Sequence, residues 1–137
     1  MMTPEIALQT ALRLRLADTP TVTDLVPAEA ILDRNDRPTP DPAVILGEGQ
    51  TVDDGNSISR RLSRVWIDIH VWKKEASTEG VKAIAGAIRA TLRDRLDLGA
   101  GFHAVDCAVS SARFLRDPDG MTSHAIVTVA AIVQELD

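Results

Sequence analysis

The chain has 137 residues and a mass of 14.8 kDa, with 45% hydrophobic and 26% charged residues, which fits one globular domain with its own core and excludes disorder throughout. Its 15 Lys and Arg against 20 Asp and Glu give a net charge of −5, the reverse of the basic excess by which phosphate-gripping proteins gain affinity. A single cysteine, Cys107, rules out an intrachain disulfide framework and a multi-cysteine zinc site, no apolar run reaches the roughly 20 residues that cross a bilayer, and the start Met1–Glu5 lacks the regions of a signal peptide, so synthesis in the cytoplasm is expected.

Thr3, Pro4 and Glu5 form a helix start: a capping hydroxyl, a proline at the first helical position and an acid against the dipole. Leu8, Ala11, Leu12 and Leu16 recur at helical spacing until Thr19-Pro20 breaks the pattern. A short helical turn over 22–26 and a short strand over 30–32 are expected next. Pro38, Pro40 and Pro42 make 33–42 a loop. Residues 43–46 read as a brief apolar strand, and 47–63 as a polar segment without its own structure.

The clearest strand covers 65–72, where Val65, Ile67, Ile69 and Val71 alternate with Trp66, Asp68, His70 and Trp72. The aliphatic set predicts a face under helices; the mixed set predicts a face that is neither open water nor deep core. Ser77 or Thr78 caps a second helix carrying Val81, Ile84, Ala85, Ile88, Leu92 and Leu96 on one stripe and ending at Leu98-Gly99. Strands over 104–116 and 121–136 form a long hairpin around Asp117-Pro118-Asp119-Gly120. The order α-β-β-β-α-β-β makes 1–137 a single α+β domain, with two helices on one face of a largely antiparallel four- to five-stranded sheet.

The motifs that would carry chemistry fail on spacing. Gly47-Glu48-Gly49 lacks a third glycine and a following helix, so no dinucleotide loop is expected. Pairing Arg116 with Met121 sets His103 and His124 some 10 residues apart along the ladder, roughly 33 Å, too far to share a metal; a metal shared by His70 and one of them is left open, with ordinary hydrogen-bonded strand histidines the preferred reading. Cys107 has no electropositive helix end near it in the sequence. Gly55-Asn56-Ser57-Ile58-Ser59 lacks the glycine of a nucleophile elbow, and Asp117 and Asp119 are explained by turn chemistry. No catalytic, cofactor or metal residue is assigned, and no enzyme activity is expected. Two features are left over. Both tryptophans sit on one sheet face, either under the domain's own loops or at a partner contact, and the 47–63 segment is long for a connector. The cluster Arg60, Arg61 and Arg64 reads as a solvated or interface patch.

The chain resembles a known family. The resemblance rests on the N-terminal helix beginning Thr3-Pro4-Glu5-Ile6-Ala7-Leu8, a Pro-rich approach to Ala43-Val44-Ile45-Leu46-Gly47-Glu48-Gly49, the strand containing His70-Val71-Trp72, the helix over 80–96, and Ser111-Ala112-Arg113-Phe114-Leu115-Arg116-Asp117-Pro118-Asp119-Gly120. These are similar to the tail-completion, or tail-terminator, proteins of long-tailed phages and gene transfer agents. The resemblance implies a virion structural protein. It would form a homohexameric ring at the head-proximal end of the tail tube, end tube growth, and present a surface to the head-closure protein. It also implies assembly in the host cytoplasm, a place at the head–tail junction, and DNA passing through the channel without specific binding. The residues expected at subunit or partner contacts are Trp66 and Trp72 with Asp53, Asp54, Arg60, Arg61 and Arg64. The alternatives are a head-side stopper or connector and, in another class, a small ligand-binding domain or enzyme using the tryptophan face as a pocket.

Overall fold

The Thr3 hydroxyl accepts from the Ile6 N–H at 3.3 Å, with Pro4 and Glu5 following in the first turn. The helix so capped, α1 (Pro4–Ala17), buries Ala7, Leu8, Ala11, Leu12 and Leu16. In this computed structural model, which describes residues 1–55 and 58–136, the chain continues through α2 (Pro20–Thr23), a 3-10 turn at Ala28–Ala30 and β1 (Ile31–Leu32). The longer elements follow: β2 (Ala43–Asp53), β3 (Leu62–Lys73), α3 (Glu79–Thr91), β4 (Phe102–Arg116) and β5 (Ser123–Glu135). Asn56 and Ser57 of the polar 47–63 segment, and Asp137, lie outside the described residues.

The sheet has the order β1-β2-β3-β5-β4. β1 runs parallel to β2 and every other pair is antiparallel, so the expected α+β architecture holds with a mixed sheet. Val65, Ile67, Ile69 and Val71 of β3 and the alternate residues of β5 from Ala125 to Val133 are buried with Leu8, Leu12, Ile84 and Ile88 of the helices. Burying each of these large side chains contributes about 1.5–3 kcal/mol. Ser123, the one buried polar residue among those described, lies 2.7 and 2.9 Å from the carbonyl oxygens of Glu75 and Ser77. It ties the hairpin to the start of α3.

Three expectations need correction. The first half of the polar 47–63 segment is strand: β2 runs on to Asp53 and β3 starts at Leu62, so the two form a hairpin end, the arm, whose β3 side stays paired with β5. Past Leu46 both faces of β2 meet solvent, apart from half-buried Gly47, so no burial alternation marks it in the sequence. Gly49 marks it another way. A Cβ there would come 2.6 Å from the Trp66 carbonyl oxygen, at a register shift between Leu46 and Gly49. The second helix stops at Thr91, well short of Leu98, although Leu92, Leu96 and Leu98 are all buried. The Arg15 guanidinium gathers the carbonyls released there, donating to Thr91 O at 2.6 Å, Asp94 O at 3.1 Å and Arg95 O at 2.8 Å. At its start, Ser77 Oγ accepts from the Glu79 N–H, while Thr78 gives no side-chain cap. Finally, Arg116 pairs with Ser123, two residues beyond the expected partner, because the turn extends to Thr122. Two bulges in β4, between Ala104 and Asp106 and between Val109 and Ser111, absorb the offset, and His103 still faces Gln134.

Candidate interaction face

With both main helices on one side, the other side of the sheet has no covering helix among the described residues; only the loop before β2 lies over it, at the end where Ala43 and Ile45, beside Trp72 and His70, are buried. β3 supplies Arg64, Trp66, Asp68, His70 and Trp72 to it, and the register adds His124, Ile126, Thr128, Ala130 and Ile132 from β5. Every one of these except exposed Arg64 is half-buried. The face is therefore a shallow, mixed surface of aliphatic, aromatic and hydrogen-bonded groups, as the alternation in β3 predicts.

Its polar residues pair with one another. Asp68 Oδ1 accepts from the Thr128 hydroxyl at 2.7 Å. A longer row runs across three strands. Trp72 stacks on His124 with ring centroids 3.7 Å apart and planes 7° from parallel. His124 Nε2 lies 3.0 Å from His70 Nδ1, and His70 Nε2 lies 2.8 Å from Glu48 Oε2. The carboxylate accepts the Nε2–H of His70, so in the neutral pair His70 Nδ1 accepts from His124 Nε2–H. The imidazole centroids are 5.2 Å apart with planes 20° from parallel, so the rings meet edge to edge, nitrogen facing nitrogen. A zinc ion between them would need the nitrogens about 4 Å apart on that line, given Zn–N distances of about 2.0–2.1 Å. The 3.0 Å gap suits a shared proton instead. Among the described residues no group of three or more His, Cys, Asp or Glu side chains is arranged to hold a metal. His70 holds the Glu48 carboxyl below the usual carboxylate value through their hydrogen bond. Burial, and then the charge of His70, pushes His124 below the usual imidazole value.

The sequence-predicted contact residues fall into two groups. Trp66 and Trp72 share the uncovered face, six residues and about 20 Å apart on β3. Trp72 also borders a cleft of about 340 Å³ under the 35–41 loop, with Ile45 and Lys74 among its other walls. A loop of the domain therefore covers the Trp72 end of the face, while the rest of it is left open. Asp53, Asp54, Arg60 and Arg64 form the arm: Arg60 bonds Asp53 at 2.6 Å and Arg64 lies 3.5 Å from Asp54. Arg61 is exposed, and its backbone oxygen accepts from the Glu135 N–H at 2.8 Å. The arm and the tryptophan face thus meet at Arg64, which belongs to both. Cys107 lies on the helix side of β4, and burial, reinforced by the Asp106 charge, raises its thiol to about 11. A thiol so protonated is a poor nucleophile at neutral pH. The His70–His124–Glu48 row was beyond sequence reasoning in detail, because it depends on the β3–β5 register and on the course of β2.

This geometry defines a small two-layer α+β structural module distinguished by an open face and an arm. The model of the family described as "Tail completion protein gp17" matches residues 10–134, and the chain belongs to that family. Two solved structures share the fold. One, from the "virion of native gene transfer agent (GTA) particle", has a TM-score of 0.81 and 22% identity, covering 98% of this chain and 99% of the other. The second, bacteriophage SPP1 gp17, has a TM-score of 0.62 and 22% identity, covering 91% and 87% respectively. No curated protein sequence matches the chain.

Proposed function

We propose that this chain is a component of tailed particles that closes the head-proximal end of the tail tube as a homohexameric ring, ends tube growth and offers a docking surface to the head-closure protein. The observation that carries the reading is membership of the tail-completion family over nearly the whole chain, together with a fold that matches a gene transfer agent particle chain end to end. The molecule has what such a ring requires. A closed ring joins two different patches of one subunit, and the tryptophan face and the charged Asp53–Arg60 tip of the arm are dissimilar in chemistry. A charge of −5 per subunit disfavours adhesion of DNA moving through the channel.

The test is assembly without the chain. Particles lacking it should carry tails of uncontrolled length, or tails detached from filled heads, in electron micrographs. Tails of normal length fastened to filled capsids would overturn the proposal. Within the chain, replacing Trp66 and Trp72 together with Arg60 and Arg61 should abolish tail joining while leaving a folded protein. Retention of joining would remove these residues as contacts.

A further inference from the structure

The two flanks of the sheet carry opposite charge. Residues 29–48, which supply β1, the proline loop and the first part of β2, hold five acidic side chains against two basic ones. Residues 82–116, which supply most of α3, the following loop and β4, hold six basic against three acidic. The strand order sets β1 and β2 at one edge and β4 at the other. From β2 to β4 is three strand spacings, about 14 Å, which exceeds the Debye length of about 10 Å at 0.1 M salt. The two excesses therefore do not cancel within one chain.

The basic flank is ordered. Lys82 and Arg89 fall on one line of α3, continued by Arg93 in the turn beyond it; all three are exposed, and Lys82 lies 5.7 Å over the Phe114 ring on the helix side of β4. Among the described residues none of the three forms an ion pair. On the same helical line, between Lys82 and Arg89, stands Gly86. It is exposed, and a Cβ there would meet nothing within 4 Å. Glycine inside a helix is less stable than alanine, and nothing in the fold calls for it here. A surface that approaches the helix backbone closely from outside would. The two bulges in β4 blunt that edge against pairing with another strand, so a contact on this flank is made by side chains.

We infer that in the ring the Lys82–Gly86–Arg89–Arg93 line of one copy seats against the acidic flank of the next copy around Glu29, Asp33 and Asp36. The inference rests on the ring reading above and specifies its subunit contact. Opposite flanks of a single chain satisfy the head-to-tail geometry of a cyclic ring, in which two unlike patches must meet. Complementary charge also sets register and speeds encounter.

The experiment is charge reversal and rescue, read as the fraction of closed rings by native mass spectrometry and electron microscopy, free and on tail-tube ends. Arg89→Glu with Arg93→Glu should weaken ring formation about tenfold or more; Asp33→Lys with Asp36→Lys should do the same. Mixing the two double variants should restore pairwise association, and raising salt to about 1 M, where the Debye length is about 3 Å, should open wild-type rings. Gly86→Ala separates folding from assembly: the monomer's melting temperature should rise by about 2–3 °C while ring formation weakens. Wild-type rings unmoved by the reversals would overturn this contact and leave the ring standing. Reversals that spare the ring and only loosen its hold on tubes would also overturn it, assigning the basic line to the tube. A wild-type chain that is monomeric even on tube ends would remove the ring reading itself.

Discussion

At the scale of single residues, the edge-to-edge contact of His70 and His124 constrains where protons can go. One nitrogen of His70 donates to Glu48, its other nitrogen faces His124 at 3.0 Å, and Trp72 covers the His124 ring. Two protons cannot occupy the 3.0 Å gap, so full charging of the pair breaks the row. The consequence for stability has a definite sign. Burial and the charge of His70 hold His124 below its ordinary 6.5, with Asp117 opposing them. The unfolded chain therefore binds the proton more readily than the folded one. The stability due to neutral His124 is complete above about pH 6.5 and is lost as the pH falls through that value toward the folded one. Glu5, Glu48, Glu75 and Asp119 have carboxyls held below their usual values, so their losses fall at lower pH. Urea midpoints should drop between pH 7.5 and 5.5, and His124→Gln should flatten that slope. Equal slopes in the two proteins would show that the row does not govern the acid response.

At the scale of elements, the junction of α1 and α3 is a single-residue clasp. The Arg15 fork donates to three carbonyls in the last turn of α3 and the loop beyond it. Replacing Arg15 with Met leaves those oxygens to solvent or unpaired and should cost about 1–2 kcal/mol in urea denaturation. It should also raise amide exchange through 92–98. Lysine, a point charge lacking the planar fork, should recover only part of the loss. Unchanged exchange in that loop would mean that Leu92, Leu96 and Leu98 hold it alone. The same junction shows where sequence reading stops. The leucine stripe continues to Leu98 because the irregular segment packs the same core, so periodicity alone extends the helix too far. β3 was legible because helices bury one of its faces and leave the other open, which alternation records directly. The 47–53 part of β2 was not legible: it leaves the core, and exposed strand has no burial pattern to leave in the sequence. The β4–β5 hairpin was legible as a pair but not in register, since small residues such as Ala108, Ser110 and Ala112 leave the bulges unmarked. The tryptophan face followed from β3 alone. Its histidine row needed three strands in register.

At the scale of the whole molecule, one sheet side is closed by helices and the other is largely open. The amino-acid composition supplies a direct reporter for that side. The chain has two tryptophans, Trp66 and Trp72, both half-buried on the uncovered face, so intrinsic fluorescence comes wholly from the surface in question. In the free chain water and quencher reach both indoles in part. If the face is covered on assembly, the indoles lose that access, as aromatic anchors at interface centres do. Emission should then shift to the blue and acrylamide quenching should fall when the protein is brought to ring-forming concentration or mixed with tail tubes. Trp72→Phe isolates Trp66 at the arm end of β3, and Trp66→Phe isolates Trp72 beside His124 and the proline loop. A change confined to Trp66 would mean that the contact covers the arm end alone, and a change confined to Trp72 would put it at the cleft. Rings or capped tubes that form with neither indole changing would show that the open face stays open in the particle. The subunit contact would then have to be carried by the charged flanks alone.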